Sequence, residues 1–339
     1  MISDPRIGFT ATTPGRGQSW QTLSDQQLLD YCLPPRPDAK TSQQAYDNWA
    51  NALSSNVVFV ETGRLTIQVD RLSLRLPLGN TAAVPETARK TKETSRNWSG
   101  GYLRQFTNDR YKLMQGCWTV PGVQAGRDRP GAVPTMWKSS TWIGFDGYDP
   151  VSRSMPQIGT EQSVDYDYGK LTPKYSAWLW WWTLGEKPQL PLTLPLAIEA
   201  NDSIFAQVSI LDGTHVNMAL HNLTKYQAVA YTVEAPQLQL PVEGRTAEWI
   251  VERQLDPDTS RFFVLPNFGT MTFTRCNAIS TGPSGETAQR LERAHLIRMK
   301  DWDDPRSPGV VVSDPDVVGT DGIKITYTGV EPVAGAAAA

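Results

Sequence analysis

Histidine and cysteine are both scarce in this 339-residue chain, with three of each. Cys32, Cys117 and Cys276 form no C-x-x-C, no Cys/His metal spacing and no even disulfide framework. One bridge, for instance Cys117–Cys276, is compatible with that count but is not shown by it. The histidines, His215, His221 and His295, belong to no H-E-x-x-H, and no G-x-S-x-G elbow occurs. His215 and His221 share a face of one strand, where two satisfied histidines are the more economical reading than a metal or catalytic pair. Asp-Thr-Gly and Asp-Ser-Gly are missing, as are the glycine-rich loops that cradle phosphates. An enzyme made from this chain must therefore use a carboxylate as its acid or base. Charge of one sign is also lacking: Lys+Arg number 32 and Asp+Glu 35, a net charge of −3. With no basic run, nucleic acid is not an expected partner. No apolar run reaches the ~18 residues of a membrane span. The opening MISDPRIGFTATTPGRG has no apolar core of a secretory signal.

Turn formers and aromatics are plentiful, with 26 Gly, 25 Pro and 12 Trp. That balance leans toward an all-β protein. From Asn97 onward the chain reads as short strands broken by Gly, Pro and Asp, among them 111–120, 140–145, 177–184, 203–211, 215–222, 228–234, 247–253, 270–276 and 323–327. Only 286–296 reads as a modest helix. Strands without interleaved helices predict a sandwich of two antiparallel sheets. The first 95 residues differ. Ser24 and Gln27 fit a capping box, and the helix they open is stopped by Leu33-Pro34-Pro35-Arg36-Pro37. Thr41 and Gln44 repeat the pattern before an amphipathic face of Tyr46, Trp49, Ala50 and Leu53. Leu65, Ile67 and Val69 alternate with polar residues as in a strand, and 80–96 reads as a linker. The expected division is an extension over 1–95, a sandwich domain over 96–329 and a tail over 330–339.

Three segments stand out. In Ala177-Trp178-Leu179-Trp180-Trp181-Trp182 a period of two puts Trp178, Trp180 and Trp182 on one face and Leu179 and Trp181 on the other. One face can fill a core while the other lines a groove. In Ala247-Glu248-Trp249-Ile250-Val251-Glu252 the two glutamates share a face with Ile250, so Glu248 sits among large apolar neighbours that would raise its pKa. Four residues of strand put Glu248 and Glu252 roughly 13 Å apart, too far for a glycosidase pair. In Pro156-Gln157-Ile158-Gly159-Thr160-Glu161, Gln157, Gly159 and Glu161 share a face, and Gly159 leaves room for a close backbone approach. Taken alone, the Trp run reads equally well as core throughout, while the glutamates and Gln157 read better as solvent-facing residues.

Taken in order, these segments resemble the glutamic peptidases, the eqolisin family of acid proteases. Asn97-Trp98-Ser99-Gly100 resembles the family's N-W-S-G, and Trp118-Thr119-Val120-Pro121 its W-x-V-P. Trp142-Ile143-Gly144-Phe145-Asp146-Gly147 resembles W-x-G-[IF]-D-G, and Gln157-Ile158-Gly159-Thr160-Glu161 resembles Q-x-G-x-[DE]. Ala177-Trp178 with Trp182 falls on A-W-x-E-x-[YW], Ala247 to Glu252 matches A-E-W-I-V-E in full, and 267–273 resembles D-F-G-x-V-x-F. The likeness runs from about 96 to 328. It implies a concanavalin-like sandwich of two curved sheets with a cleft on the concave face. By the same likeness Gln157 and Glu248 fall on the catalytic pair. Trp142, Asp146, Gly147, Gly159, Glu161, Trp178 and Trp182 fall on positions that line the cleft. Trp180 stands where the family often has Glu.

The resemblance implies an acid endopeptidase acting on a peptide or protein substrate as a monomer, with no metal and no cofactor. Glu248 would move protons to and from water and the leaving amine, and Gln157 would hold the oxyanion. In such peptidases a segment like 1–95 is commonly a prosegment; the alternative is a helical extension packed on the sandwich. An acid optimum suits secretion or an acidic compartment; the N-x-S/T sites at Asn97, Asn201 and Asn222 carry little weight. Two other readings stay open: a carbohydrate-binding sandwich, and a glycoside hydrolase pairing Glu248 with Asp146 or Glu161.

Overall fold

The structure is a computed structural model. It describes residues 9–10, 20–54, 56–60, 66–67 and 92–329, except 106, 128–135, 149–152, 185–190, 237–238, 257–258, 305 and 307. The expected tail over 330–339 lies outside the described residues, as do 80–91 of the expected linker and Leu65 and Val69 of the expected strand.

Fourteen strands carry the argument. They are β1 (Glu93–Ser95), β2 (Trp98–Arg104), β3 (Arg110–Thr119), β4 (Met136–Phe145), β5 (Ser154–Asp167), β6 (Lys170–Thr183) and β7 (Ser203–Ile210). They continue with β8 (His215–Asn222), β9 (Gln227–Glu234), β10 (Thr246–Glu252), β11 (Thr270–Gly282), β12 (His295–Asp301), β13 (Val310–Val318) and β14 (Gly322–Tyr327). One layer runs β6-β5-β4-β10-β2-β12-β13, and the second runs β14-β11-β3-β7-β8-β9, every neighbour antiparallel. β13 also pairs β14, so the expected two sheets are a single sheet folded over on itself. β1 is the exception in direction, since it lies parallel to β12.

Alternation assigns the faces. Ile143, Ile158, Leu179, Trp181, Ala247, Trp249 and Val251 turn toward the second layer and join one large buried cluster. The Trp249 indole reaches across the layers to donate to the Gln115 carbonyl at 2.9 Å. It fits because a Cβ on Gly116 would stand 3.0 Å from its ring. The opposite face of the first layer carries a separate buried cluster of Trp98, Tyr102, Trp142, Tyr148, Met155, Trp178, Trp180, Ile250 and Ile297. The aromatic run therefore divides as period two predicts.

The N-terminal helices are α1 (Asp25–Asp30) and α2 (Gln43–Ala52). The capping box of α1 is present, with Ser24 and Gln27 exchanging bonds. In α2 the cap is Ser42, one residue later than expected, because its hydroxyl reaches the Ala45 N–H. Both helices lie on the outer face of the second layer, away from the core. Ala45 packs on Leu113 and Ile279, and Ala52 packs on Cys117 and Phe205. Trp49 and Leu53 pack with Trp20, Leu28 and Leu33 on the other flank of α2. Buried polar side chains of the sheet bond the extension's backbone: Gln115 to Ala45, Gln207 to Pro35, Asn217 to Cys32 and His221 to Ala52. His221 is thereby a buried histidine bonded through Nδ1, its Nε2 having no partner among the described residues, and His215 bonds Asp212 at the start of its strand.

Three expectations change. Residues 286–296 are not a helix: Gly285–Gln289 is a hairpin strand on β11, followed by a short 3-10 turn and β12. Sheet pairing overrides a mild helix preference there. Residues 93–95 of the expected linker form β1. Finally, Cys32, Cys117 and Cys276 are all free and buried, so no Cys117–Cys276 bridge forms.

Candidate active site

The register of the first layer sets Gln157 opposite Gly144, and Gly144 opposite Glu248. Directly opposed residues in antiparallel strands project to the same face. Two strand spacings separate the outer pair, so Gln157 and Glu248 start roughly 10 Å apart with only a glycine between them. A Cβ on Gly144 would come within 2.9 Å of the Gln157 Cβ and 2.6 Å of the Pro156 carbonyl. The row extends on both sides, with Trp180 opposite Gln157, Tyr102 opposite Glu248 and His295 opposite Tyr102. Gln157 and Glu248 are both fully buried. Both amide atoms of Gln157 and the Oε2 of Glu248 have no hydrogen-bond partner among the described residues.

Glu248 is supported by the backbone that follows β4, with the Thr246 side chain close by. The Gly147 N–H donates to its Oε1 at 3.1 Å, with the Tyr148 N–H beside it. Burial raises the Glu248 carboxyl well above the ordinary carboxylate range, and nearby Asp146 adds to this, against the Thr246 side chain and those N–H donors. Asp146 sits at φ 65°, a left-handed conformation that aspartate tolerates. Its carboxylate accepts four backbone N–H groups: Glu243 at 2.6 Å, Gly244 at 2.8 Å, Arg245 at 2.5 Å and Thr246 at 3.3 Å. Burial nonetheless pushes Asp146 up to about 6. Asp146 thus ties the end of β4 to the approach to β10, and its oxygens are occupied by that loop.

The other residues singled out by sequence surround the row. Gly159 lies opposite both Trp142 and Trp178, and a Cβ there would meet the Trp142 Cβ at 2.6 Å. Its lack of a side chain seats these two rings. Trp142 is fully buried, meets Trp98 edge-on at 5.0 Å and donates to Glu252 Oε2 at 2.9 Å. Trp182 is partly buried against the same cluster. Gly147 leaves space that Met155 Sδ and the Trp98 ring would otherwise contest at 2.4 and 2.5 Å. Glu161 is further along the face and forms a buried ion pair with Lys138 at 3.1 Å. No cluster that could hold a metal ion occurs among the described residues.

Sequence reading missed Gly144 as the spacer, though its place inside W-x-G-x-D-G was a signal. It also missed Lys138, a charge inside the otherwise apolar or small Met136–Phe145 strand, and the Glu93–Tyr102–Tyr148 group, for which the sequence holds no local signal.

The sequence model of the Peptidase A4 family matches residues 96–327. Comparison with curated proteins finds no match. Among solved structures, scytalido-glutamic peptidase with a peptide-based transition-state analogue superposes with a TM-score of 0.53 at 22% identity, covering 69% of this chain and 98% of that one. SCP-B, described as a member of the eqolisin family in complex with the tripeptide Ala-Ile-His, gives 0.50 at 21% identity, with coverage of 69% and 98%. These structural likenesses establish the shared β-sandwich, and the family match establishes descent. The chain belongs to the Peptidase A4 family, the eqolisin glutamic peptidases, and is a peptide hydrolase.

Proposed function

We propose that Gln157 and Glu248 are the catalytic pair of this glutamic endopeptidase. The observation that carries the reading is the trio of unpartnered buried atoms on two side chains of one cross-strand row, with a glycine between them. Buried polar atoms are nearly always bonded, so such a convergence marks a place for a reacting group. Glu248 takes a proton from the attacking water and returns it to the departing amine. The Gln157 N–H polarises the scissile carbonyl and donates to the oxyanion, a contribution on the order of 3–4 kcal/mol for one such donor. A carboxyl raised by burial is well suited to the second transfer. The first needs the ionised form, so the low-pH limb of the activity profile reports Glu248, and burial moves an otherwise acidic optimum upward. The glycoside-hydrolase reading is disfavoured because Asp146 is taken up by four N–H donors and Glu161 by Lys138.

Residues 96–329 form the peptidase domain in this reading, and the substrate is an extended peptide bound on the face of the first layer that carries Gln157 and Glu248, where Trp182 is partly exposed beside the buried rings of Trp142, Trp178 and Trp180. The extension is, in this reading, a packed part of the enzyme, held by its buried bonds to the second layer. Among the described residues no helix is long and apolar enough to cross a membrane, and an acidic or extracellular setting fits the chemistry. Casein digestion from about pH 2 to about pH 7 with pepstatin present tests the assignment. Acid proteolysis should persist with pepstatin and vanish in Glu248→Gln and in Gln157→Ala, with circular dichroism unchanged. Activity retained in either variant removes that residue from the pair.

A further inference from the structure

Glu93 is buried on β1, just ahead of the region that the family model matches, 96–327. Both its oxygens are engaged by phenols. Tyr102 donates to Oε1 at 2.8 Å, and the Tyr148 hydroxyl donates to Oε2. His295 Nδ1 lies 3.9 Å from Oε1. The Tyr102 and Tyr148 rings stack at 3.8 Å, and His295 also stacks on Tyr102, at 5.0 Å. None of these residues belongs to the motifs that marked the site. Yet Tyr102 stands opposite Glu248 in the sheet, and Tyr148 directly follows the glycine whose N–H holds Glu248.

The segment Asp146-Gly147-Tyr148 is therefore fastened at both ends. Asp146 is bound by the 243–246 loop, and Tyr148 is bound through its hydroxyl to Glu93. Gly147, between them, has no side chain of its own to fix its peptide. Its N–H is nonetheless the donor on Glu248 Oε1.

We infer that Glu93 is a positioning residue for the Glu248 carboxylate, acting by anchoring Tyr148 and so the Gly147–Tyr148 backbone that supports Glu248. The inference rests on the reading of Glu248 as the proton carrier. It also means that residue 93 stays in the working enzyme, since a chain cut between it and the sandwich would lose this anchor.

The test compares Glu93→Ala and Glu93→Gln in the full chain, using a fluorogenic peptide cleaved by the wild-type enzyme. Small misplacements of a catalytic group cost up to ~100-fold in rate, so Glu93→Ala should lose about 10- to 100-fold in kcat with KM within about twofold. Glu93→Gln keeps an acceptor oxygen and should recover most of the loss. Wild-type kcat in Glu93→Ala, or equal impairment in the two variants, overturns the inference. So does intact-mass evidence that the active species lacks residue 93. Absence of proteolysis in the wild type would sink the reading of Glu248 instead. In that case the carboxyl 13C resonance of Glu248, identified by its loss in Glu248→Gln, still decides: Glu93→Ala should move it, and an unmoved resonance overturns the anchoring role.

Discussion

Trp180 lies directly across the sheet from Gln157, and both side chains are buried on the same face. An indole N–H can only donate, so Trp180 shields the Gln157 amide without offering its N–H an acceptor. Where glutamic peptidases often carry a carboxylate, this chain carries a wall.

That wall has a measurable weight. Trp180→Ala removes a large buried ring and should destabilise the fold by about 3–5 kcal/mol in urea denaturation, while Trp180→Phe should cost distinctly less. Equal stability of Trp180→Ala and wild type would show that the ring is not part of the packed face.

Gly144 offers a sharper probe of the row. A methyl group there would press on the Gln157 Cβ at 2.9 Å and on the Pro156 carbonyl at 2.6 Å. Gly144→Ala should cost roughly 1–3 kcal/mol of stability through overpacking. It should lower kcat by about 100-fold if Gln157 and Glu248 act as the proposed pair, because it displaces Gln157. Full activity in this variant would contradict the spacing role.

The buried carboxyls set the pH dependence of stability. In the unfolded chain Asp146 and Glu248 titrate near ~3.9 and ~4.3. In the fold Asp146 is pushed up to about 6, and Glu248 is raised well above its ordinary value, both by burial. A raised folded-state carboxyl favours the protonated fold. For Asp146 the stabilisation is complete below about pH 4 and is lost as pH rises through about 6, and Glu248 adds a loss in the same direction. For Asp146 alone the change is on the order of 3 kcal/mol. Melting temperature should therefore fall between about pH 4 and about pH 7, and Glu248→Gln should flatten part of that fall. A melting temperature that rises over this window would refute it.

The cysteines make a separate prediction. All three are buried and free; burial pushes Cys117 up to about 11, and Cys276 is raised well above the usual thiol range. Thiolate is the reactive form, so a thiol reagent should label none of the three in the native protein and all three in denaturant. Reductant should leave the melting temperature unchanged. Fewer than three labelled thiols under denaturing, non-reducing conditions would indicate a bridge.

Much of the site was legible because period two is a local rule. Gln157, Gly159 and Glu161 had to share a face, as did Glu248, Ile250 and Glu252, and as did Trp178, Trp180 and Trp182. What stayed hidden depends on distant partners. Asp146 looks like a groove residue in its motif, yet its oxygens are claimed by a loop about a hundred positions away. The stretch 286–296 has helix-forming residues, yet β11 offered its backbone a better set of partners.

The amino-acid order alone determined the all-β character, the capped N-terminal helix α1 and which side chains point the same way, since each depends on neighbours a few positions apart. Only the folded sheet decided that Gln157, Gly144 and Glu248 fall into one row, that the layers join through β13 and β14, and that Glu93 meets Tyr148. Cross-strand register is set by pairing between segments remote in the chain, and no local propensity encodes it.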